Sequence, residues 1–414
     1  MNSPFPLETE LEIVRHLRND TPALLAAAQV CFRWKRDVYK MLHRVLVIRV
    51  KHVVYTTLPA QVTTRTIGDA LQNLEKCPAI HEHVRHLAIV GPNEVNKMDY
   101  HANGTSLGAS KITACDVTAL LRLLPGVHSL TLSDLAWSLC HIDCASWSTL
   151  PTCQFTSITL ARIRHDTTDD SALSTLRAAA DIDELVIDHL TGVRDHAPLA
   201  HRCAVNTLTI EDAEGMTPLS WRLVRRFQAQ TVRDMTIKLH GQLDALFVSQ
   251  MLATQKDSLQ SLQLIVSYPN EDDWTSLGLA LCRRLCTFRF TYDLHPGSEV
   301  AHAASQSTVL NLLQDLPPTV TEIQVVAVVH LAQVARMGCL LSRTNWERCA
   351  DILQALPALR NLSLSFTLSP GLPLAHTIVR EWPAQDVVVI QDIFKALTGR
   401  GVHLHMAITE NTHL

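Results

Sequence analysis

Apolar residues recur along most of this chain as i, i+2 doublets inside short runs rich in Thr, Val and Ile. They are Leu87/Ile89, Leu130/Leu132, Ile158/Leu160, Leu185/Ile187, Leu208/Ile210, Met235/Ile237, Leu262/Leu264, Phe288/Phe290, Ile323/Val325, Leu362/Leu364 and Leu404/Met406. Successive side chains of an extended chain point to opposite faces, so each doublet marks a half-buried strand. Through the middle of the chain the doublets return about every 23 to 28 residues, and the longer intervals on either side imply insertions. Between many of them lies a helical pattern: Asp116–Leu124, Asp170–Ala180, Leu219–Ala229, Leu243–Thr254, Ser307–Leu316 and Trp346–Leu356. In Leu124-Pro-Gly-Val-His-Ser-Leu130-Thr-Leu132 and Leu356-Pro-Ala-Leu-Arg-Asn-Leu362-Ser-Leu364, a proline ends the helix and the strand follows at once.

A strand plus a helix in each unit of roughly 20 to 29 residues is the leucine-rich-repeat arrangement, in which stacked units form one curved parallel sheet. The pattern therefore predicts an α/β chain whose residues 51–414 form an irregular solenoid of this kind. The asparagine usual after such strands is mostly absent, and a doubly wound α/β sheet is the rival architecture. On the solenoid reading, the residues between paired core positions face the concave side: Thr131, Thr159, Val186, Thr209, Thr236, Gln263, Arg289, Gln324, Ser363 and His405. Short polar side chains there suit hydrogen bonding to an extended protein partner, although Thr and Val also simply favour strands.

Residues 1–50 follow a different rule. Leu7, Leu11, Val14 and Leu17 form one amphipathic stripe; Asp20 or Thr21 caps a second helix with Pro22 in its first turn, and Leu24, Leu25, Ala28 and Cys31 follow at helical spacing toward Trp34. Residues 5–34 resemble an F-box: Pro6 and Glu8 match its Pro-x-Glu opening, Leu11, Ile13 and Leu17 its apolar stripe, and Leu24, Leu25, Val30, Cys31, Arg33 and Trp34 its closing Leu-Leu…Val-Cys-x-Arg-Trp pattern. Thr9 and Glu10 stand where the family usually has leucines. An F-box-like start before degenerate leucine-rich repeats is similar to the F-box-like proteins of mushroom-forming fungi. That resemblance implies a non-enzymatic, substrate-recognising subunit of a ubiquitin ligase. Its adaptor-binding residues, toward a Skp-type adaptor and through it a cullin, would be Pro6, Leu7, Glu8, Leu11, Ile13, Leu17, Leu24, Leu25, Val30 and Trp34. The repeats would hold a protein substrate. Two alternatives stay open: helices that only cap the first strand of the solenoid, and a repeat scaffold with no ligase link.

Composition narrows the chemistry. A formal net charge of −4, with 47% hydrophobic and 18% charged residues, describes a packed globular chain without a broad basic field for nucleic acid or anionic membrane. No basic and apolar leader opens the chain and no apolar run reaches membrane-spanning length, so the expected location is cytoplasmic or nuclear. Eleven cysteines, an odd number spread from Cys31 to Cys349, fit mostly reduced, buried thiols. Gly104-Thr-Ser106-Leu-Gly108 matches the nucleophile elbow of a serine hydrolase, which stays a third alternative with Ser106 as nucleophile, although the polar run before it reads as an exposed loop rather than a buried strand. Cys140, His141, Asp143, Cys144 and the Cys282/Cys286 pair lack the paired spacing of a structural zinc site. His81-Glu-His83-Val-Arg-His86 is not a zinc-protease motif and reads as the solvated start of a strand. Asp166, Asp169 and Asp170 fit the negative start of a helix better than a cation site. No metal or cofactor is expected.

Overall fold

The computed structural model describes residues 12, 21–30, 34–35, 37–38, 41, 43–50, 61–64, 67–91, 111–138, 153–165, 175–176, 179–191, 203–211, 227–239, 242–266, 277–294, 299–330, 345–369 and 384–410. The chain divides into two compact units, Met1–Cys203 and Ala204–Leu414. Each is α/β, with a parallel sheet.

Unit 1 contains α1 (Thr21–Val30), β1 (Val45–Val50), β2 (Gln61–Thr64), α2 (Ile67–Glu75), α3 (Pro78–His81), β3 (His86–Val90), β4 (Lys111–Ile112), α4 (Ala114–Leu123), β5 (Ser129–Ser133), β6 (Ala136–Trp137), β7 (Cys153–His165) and β8 (Ala179–Thr191). Its main ladder runs β8-β7-β5-β3-β1-β2, so only β2 departs from chain order by pairing on the outer side of β1. The first described strand, β1, carries the doublet Leu46/Ile48, which repeats the pattern inside the first fifty residues. Helix α4 shows why the sequence starts where it does. Thr113 Oγ1 accepts from Asp116 N at 3.3 Å while Asp116 Oδ2 accepts from Thr113 N at 2.8 Å, a reciprocal cap. Pro125 follows the last turn, and the chain re-enters the sheet at Ser129.

Unit 2 contains β9 (Ala204–Glu211), β10 (Asp234–Leu239), α5 (Gln242–Gln255), β11 (Ser261–Val266), β12 (Thr287–Leu294), α6 (Glu299–Gln314), β13 (Glu322–His330), α7 (Trp346–Gln354), β14 (Asn361–Ser369), α8 (Ala384–Ile393), α9 (Lys395–Gly399) and β15 (His403–Glu410). Its seven strands stand side by side in strict chain order. Helix α6 packs on α7, and α7 on α8 and α9. A doubly wound sheet reverses its strand order at a switch point. Unit 2 has no such reversal among its described strands, and the repeat reading is the one its topology follows.

The repeat is visible in the backbone. Just before six of the strands, two successive N–H groups donate to one carbonyl of the preceding unit: Arg85 and His86 to Arg44 O, His128 and Ser129 to Arg85 O, Gln260 and Ser261 to Arg233 O, Cys286 and Thr287 to Gln260 O, Thr321 and Glu322 to Cys286 O, Arg360 and Asn361 to Thr321 O. The doublets fill the core behind this ladder, and Leu87, Ile89, Leu132, Ile158, Leu185, Leu208, Ile237 and Leu264 are all buried. Val325, Leu404 and Met406 are only half-buried. Val325 lines a cavity, and β15 ends its unit's strand order.

The expected helices at Asp116–Leu124, Leu243–Thr254, Ser307–Leu316 and Trp346–Leu356 are present as α4, α5, α6 and α7. The helix expected over Asp170–Ala180 is not found in its described part: Thr175 and Leu176 are in 3-10 conformation, and Ala179 and Ala180 already belong to β8. Alanines favour a helix, but pairing of Ala179 with Cys153 in the ladder overrides that preference. The end of the expected Leu219–Ala229 helix is likewise a bridge at Phe227 and a turn, its earlier part lying outside the described residues.

Candidate functional site

The residues that alternate with the core doublets form continuous rows. In unit 2, Thr209, Thr236, Gln263, Arg289, Gln324, Ser363 and His405 are direct partners from strand to strand. The same registers place Thr207, Asp234, Ser261, Thr287, Glu322, Asn361 and His403 in the row before it. Period-two alternation puts both rows on one face of the sheet. Arg289 lies 3.8 Å from Glu322, and Ser363 Oγ lies 3.4 Å from His405 Nδ1. Nearly every position in the two rows offers a donor or an acceptor, and most are only half-buried.

The equivalent row of unit 1 reads Val47, Ala88, Thr131, Thr159 and Val186, preceded by Val45, His86, Ser129, Ser157 and Glu184. It is more apolar at its β1 end, where Val45 is 45% exposed. Ser129 and Ser157 share a hydrogen bond of 2.7 Å.

Just past β5 and inside β7 and β8, three non-glycine residues occupy the left-handed region: Asp134 (φ 56°), Arg162 (φ 50°) and His189 (φ 47°). The pairing of Ser133 with Ala161 and of Ala161 with Asp188 makes these residues neighbours in one column. Each left-handed residue costs roughly 1–2 kcal/mol. A charge ladder offsets part of that cost. Arg162 donates to both oxygens of Asp134 at 2.7 and 2.9 Å and to Asp188 at 3.3 Å, while the His189 ring contacts Asp188. The Asp134 hydrogen bond holds the guanidinium pKa above its ordinary value. Gly91 sits beside Asp134 because nothing larger fits: a Cβ there would stand 1.7 Å from the Asp134 carbonyl oxygen. Past the corner, β6 pairs with β4 and β7, and Trp137 is fully buried.

Sequence reasoning missed this column, since no residue type in it announces a left-handed turn. It also missed Gln255, which is buried and whose Oε1 accepts from Thr231 N and Val232 N at 2.9 and 3.1 Å while its Nε2 donates to Gln228 O.

At the N-terminus, Leu24, Ala27 and Val38 form a buried cluster against which Trp34 and Met41 pack, whereas Leu25 is 44% exposed. Two of the expected adaptor contacts, Leu24 and Trp34, are thus engaged within the chain itself, and Leu25 faces outward. Pro6, Leu7, Glu8, Leu11, Ile13 and Leu17 lie outside the described residues, as does the side chain of Val30. So do Ser106, Cys140, His141, Asp143, Cys144, Asp166, Asp169 and Asp170.

Unit 2 also encloses a cavity of about 40 Å³ between helices and sheet, lined by Tyr292, Val309, Leu313, Cys349, Phe366 and Phe394 among others. Burial pushes the Cys349 thiol up to about 11 and raises the Tyr292 phenol as well, so both stay protonated and unreactive near neutral pH. Cys282, also buried, is pushed up to about 12, while Cys286 is exposed. Cys77, Cys203, Cys282, Cys286 and Cys349 are free thiols, whereas Cys115 is disulfide-bonded. Among the described residues no group of three or more His, Cys, Asp or Glu side chains is placed to hold a metal ion, and no helix is long and apolar enough to cross a membrane. No family model matches the chain, and no curated protein is recognisably similar to it.

Proposed function

We propose that this chain is a non-enzymatic substrate-recognition subunit of a Skp/cullin-type ubiquitin ligase, a leucine-rich-repeat-like solenoid whose outward rows hold a protein substrate and whose helical N-terminus docks on the adaptor. The observation that carries the recognition half is the unbroken, in-register row Thr209–Thr236–Gln263–Arg289–Gln324–Ser363–His405. Side chains able to donate and accept, repeated at the strand spacing of about 4.8 Å, offer a continuous line of hydrogen-bonding groups to a polypeptide laid across the strands. Support for the docking half is the resemblance of residues 5–34 together with the outward Leu25, a large apolar side chain left for a partner helix to cover.

A second reading, a repeat scaffold with no ligase link, is favoured by the packing of Leu24 and Trp34 into the chain's own cluster. Pull-down with a purified Skp-type adaptor separates the two. The wild-type chain captures the adaptor and Leu25→Asp does not, with unchanged circular dichroism, if the ligase reading is right. Capture unaffected by Leu25→Asp, or no capture by the wild type, removes it and leaves the scaffold.

A further inference from the structure

The residues that open consecutive strands of unit 1 bring positive charge together. Arg44 precedes β1, His86 opens β3 and His128 precedes β5. The Arg44 carbonyl accepts from His86 N at 3.0 Å, and the Arg85 carbonyl from His128 N at 2.9 Å, so the three residues stand on neighbouring strands about 4.8 Å apart. The His86 and His128 rings meet edge to face with centroids 5.0 Å apart. The single hydroxyl proton of Thr156 is donated to the His128 carbonyl at 3.0 Å, so His128 Nδ1, 3.2 Å from the same oxygen, carries a proton and donates.

Among the described residues, no carboxylate pairs with Arg44, His86 or His128. The surroundings are themselves basic: His43 and Arg49 flank from the β1 side, and His83 and Arg85 from the β3 side, with Arg85 already donating to Gly126 O at 3.1 Å. The acidic groups are Glu82, exposed on the turn before β3, and Asp183 with Glu184 on β8. Glu184 shares the row of His86 but is separated from it by Ser129 and Ser157. Three strand spacings amount to about 14 Å, beyond the ~8 Å over which exposed charges interact at physiological ionic strength. Burial, the neighbouring His128 and the Arg44 charge, in that order, hold the His86 pKa below its ordinary value. Beside this cluster, on the same face, lie the exposed Val45 and the half-buried Val47 and Ala88.

We infer that Arg44, His86 and His128 form an anchor for a side-chain carboxylate of an extended acidic segment of the partner protein, whose neighbouring apolar residues rest on Val45, Val47 and Ala88. This rests on the reading of the sheet face as the partner surface. Charge selects the carboxylate. Of the three anchor residues only Arg44 is permanently charged, so one carboxylate balances them at neutral pH, whereas a phosphate dianion leaves one charge that they match only when a histidine protonates. A bound carboxylate also replaces the repulsion around His86 with attraction, so binding takes up protons and tightens as pH falls through the histidine range.

The test uses the full chain with ¹³C-labelled histidine rings, resonances of the two assigned through His86→Gln and His128→Gln. The probes are a decapeptide of alternating Glu and Val, its Gln/Val counterpart, and inorganic phosphate. The Glu/Val peptide is expected to raise the His86 midpoint by about one pH unit and to bind about fourfold more tightly at pH 6.0 than at 7.5. Arg44→Ala should abolish both effects, and the Gln/Val peptide should produce neither. An unmoved His86 midpoint at millimolar peptide, or the same movement in Arg44→Ala, overturns the anchor. A larger response to phosphate than to peptide overturns its assignment to a carboxylate. The face reading fails separately: Thr236→Arg then leaves capture of an identified partner unchanged, whereas loss of capture in Thr236→Arg with an unresponsive His86 sinks the anchor alone.

Discussion

In unit 1 the strands bend at left-handed residues tied together by charge, whereas in unit 2 the turn before β10 is held by a buried glutamine. Both devices fix the backbone where the chain changes direction, one through side-chain charges and the other by giving backbone groups their partners. The Asp134–Arg162–Asp188 ladder works at the surface, with Arg162 half exposed. Gln255 works in the interior, fully excluded from water, and satisfies two N–H groups and a carbonyl. The faces differ in the same spirit. Unit 1 presents Val45, Val47 and Ala88 beside a basic cluster, while unit 2 presents a polar row across seven strands. What the units share is the buried doublet and, before strands of both, the carbonyl that accepts from two successive N–H groups. A repeat of this kind constrains its core and its backbone pairing and leaves corners and faces open to local solutions.

Four substitutions, with Thr236→Ala as the surface control for the first, would break or sharpen that contrast, taken in order of expected effect. Phe288→Ala removes a fully buried ring stacked in parallel 6.5 Å from Phe290, and should cost about 3–5 kcal/mol in urea unfolding. Thr236→Ala on the outward row should cost under about 1 kcal/mol, and equal losses at the two sites would contradict the alternation. Gln255→Leu keeps most of the volume and strips the partners from two backbone donors; about 3 kcal/mol of destabilisation is expected, and a neutral outcome would show that the turn does not depend on it. Gly91→Ala forces the Asp134 carbonyl to move and should lower stability by about 1–3 kcal/mol, seen as a lower thermal midpoint. Arg162→Ala, at an exposed ion pair, should cost about 1 kcal/mol or less and progressively less in high salt.

The pH response is smaller still, and its sign follows from the shifts. The pKa values of His43 and His86 are depressed in the folded chain, both chiefly by burial, and secondarily by His83 and by His128 with Arg44 respectively. Above the ordinary histidine value near 6.5 both folded and unfolded chains carry them neutral, so they contribute nothing. As pH falls below that value toward their folded midpoints, the unfolded chain binds protons that the folded chain refuses, and stability declines. His86→Gln should flatten the fall in thermal midpoint between pH 7.5 and 5.5. A parallel curve for the variant would remove His86 from the account.

The doublets were legible because burial of one strand face imposes a period of two that no other element shares. The helices α4, α5, α6 and α7 were legible because capping residues and prolines mark their ends. The first doublet, Leu46/Ile48, was hidden by its place beside a helical pattern, and the helix expected over Asp170–Ala180 was lost to pairing of Ala179 with Cys153. From the candidate surface, the central row was readable position by position once each strand was located. The basic cluster was not, because Arg44, His86 and His128 are far apart in sequence and meet only through the register of three strands.

By itself, then, the order of residues determined which side chains are buried, how often strands return and that those strands pair in parallel, since alternation and repeat length are local and additive. Only the tertiary structure decided the left-handed column at Asp134, Arg162 and His189, the clamp at Gln255 and the company each outward residue keeps. Those features depend on which strand lies beside which and at what offset. A shift of one residue in register would exchange core for surface along a whole strand, and composition alone carries no record of that choice.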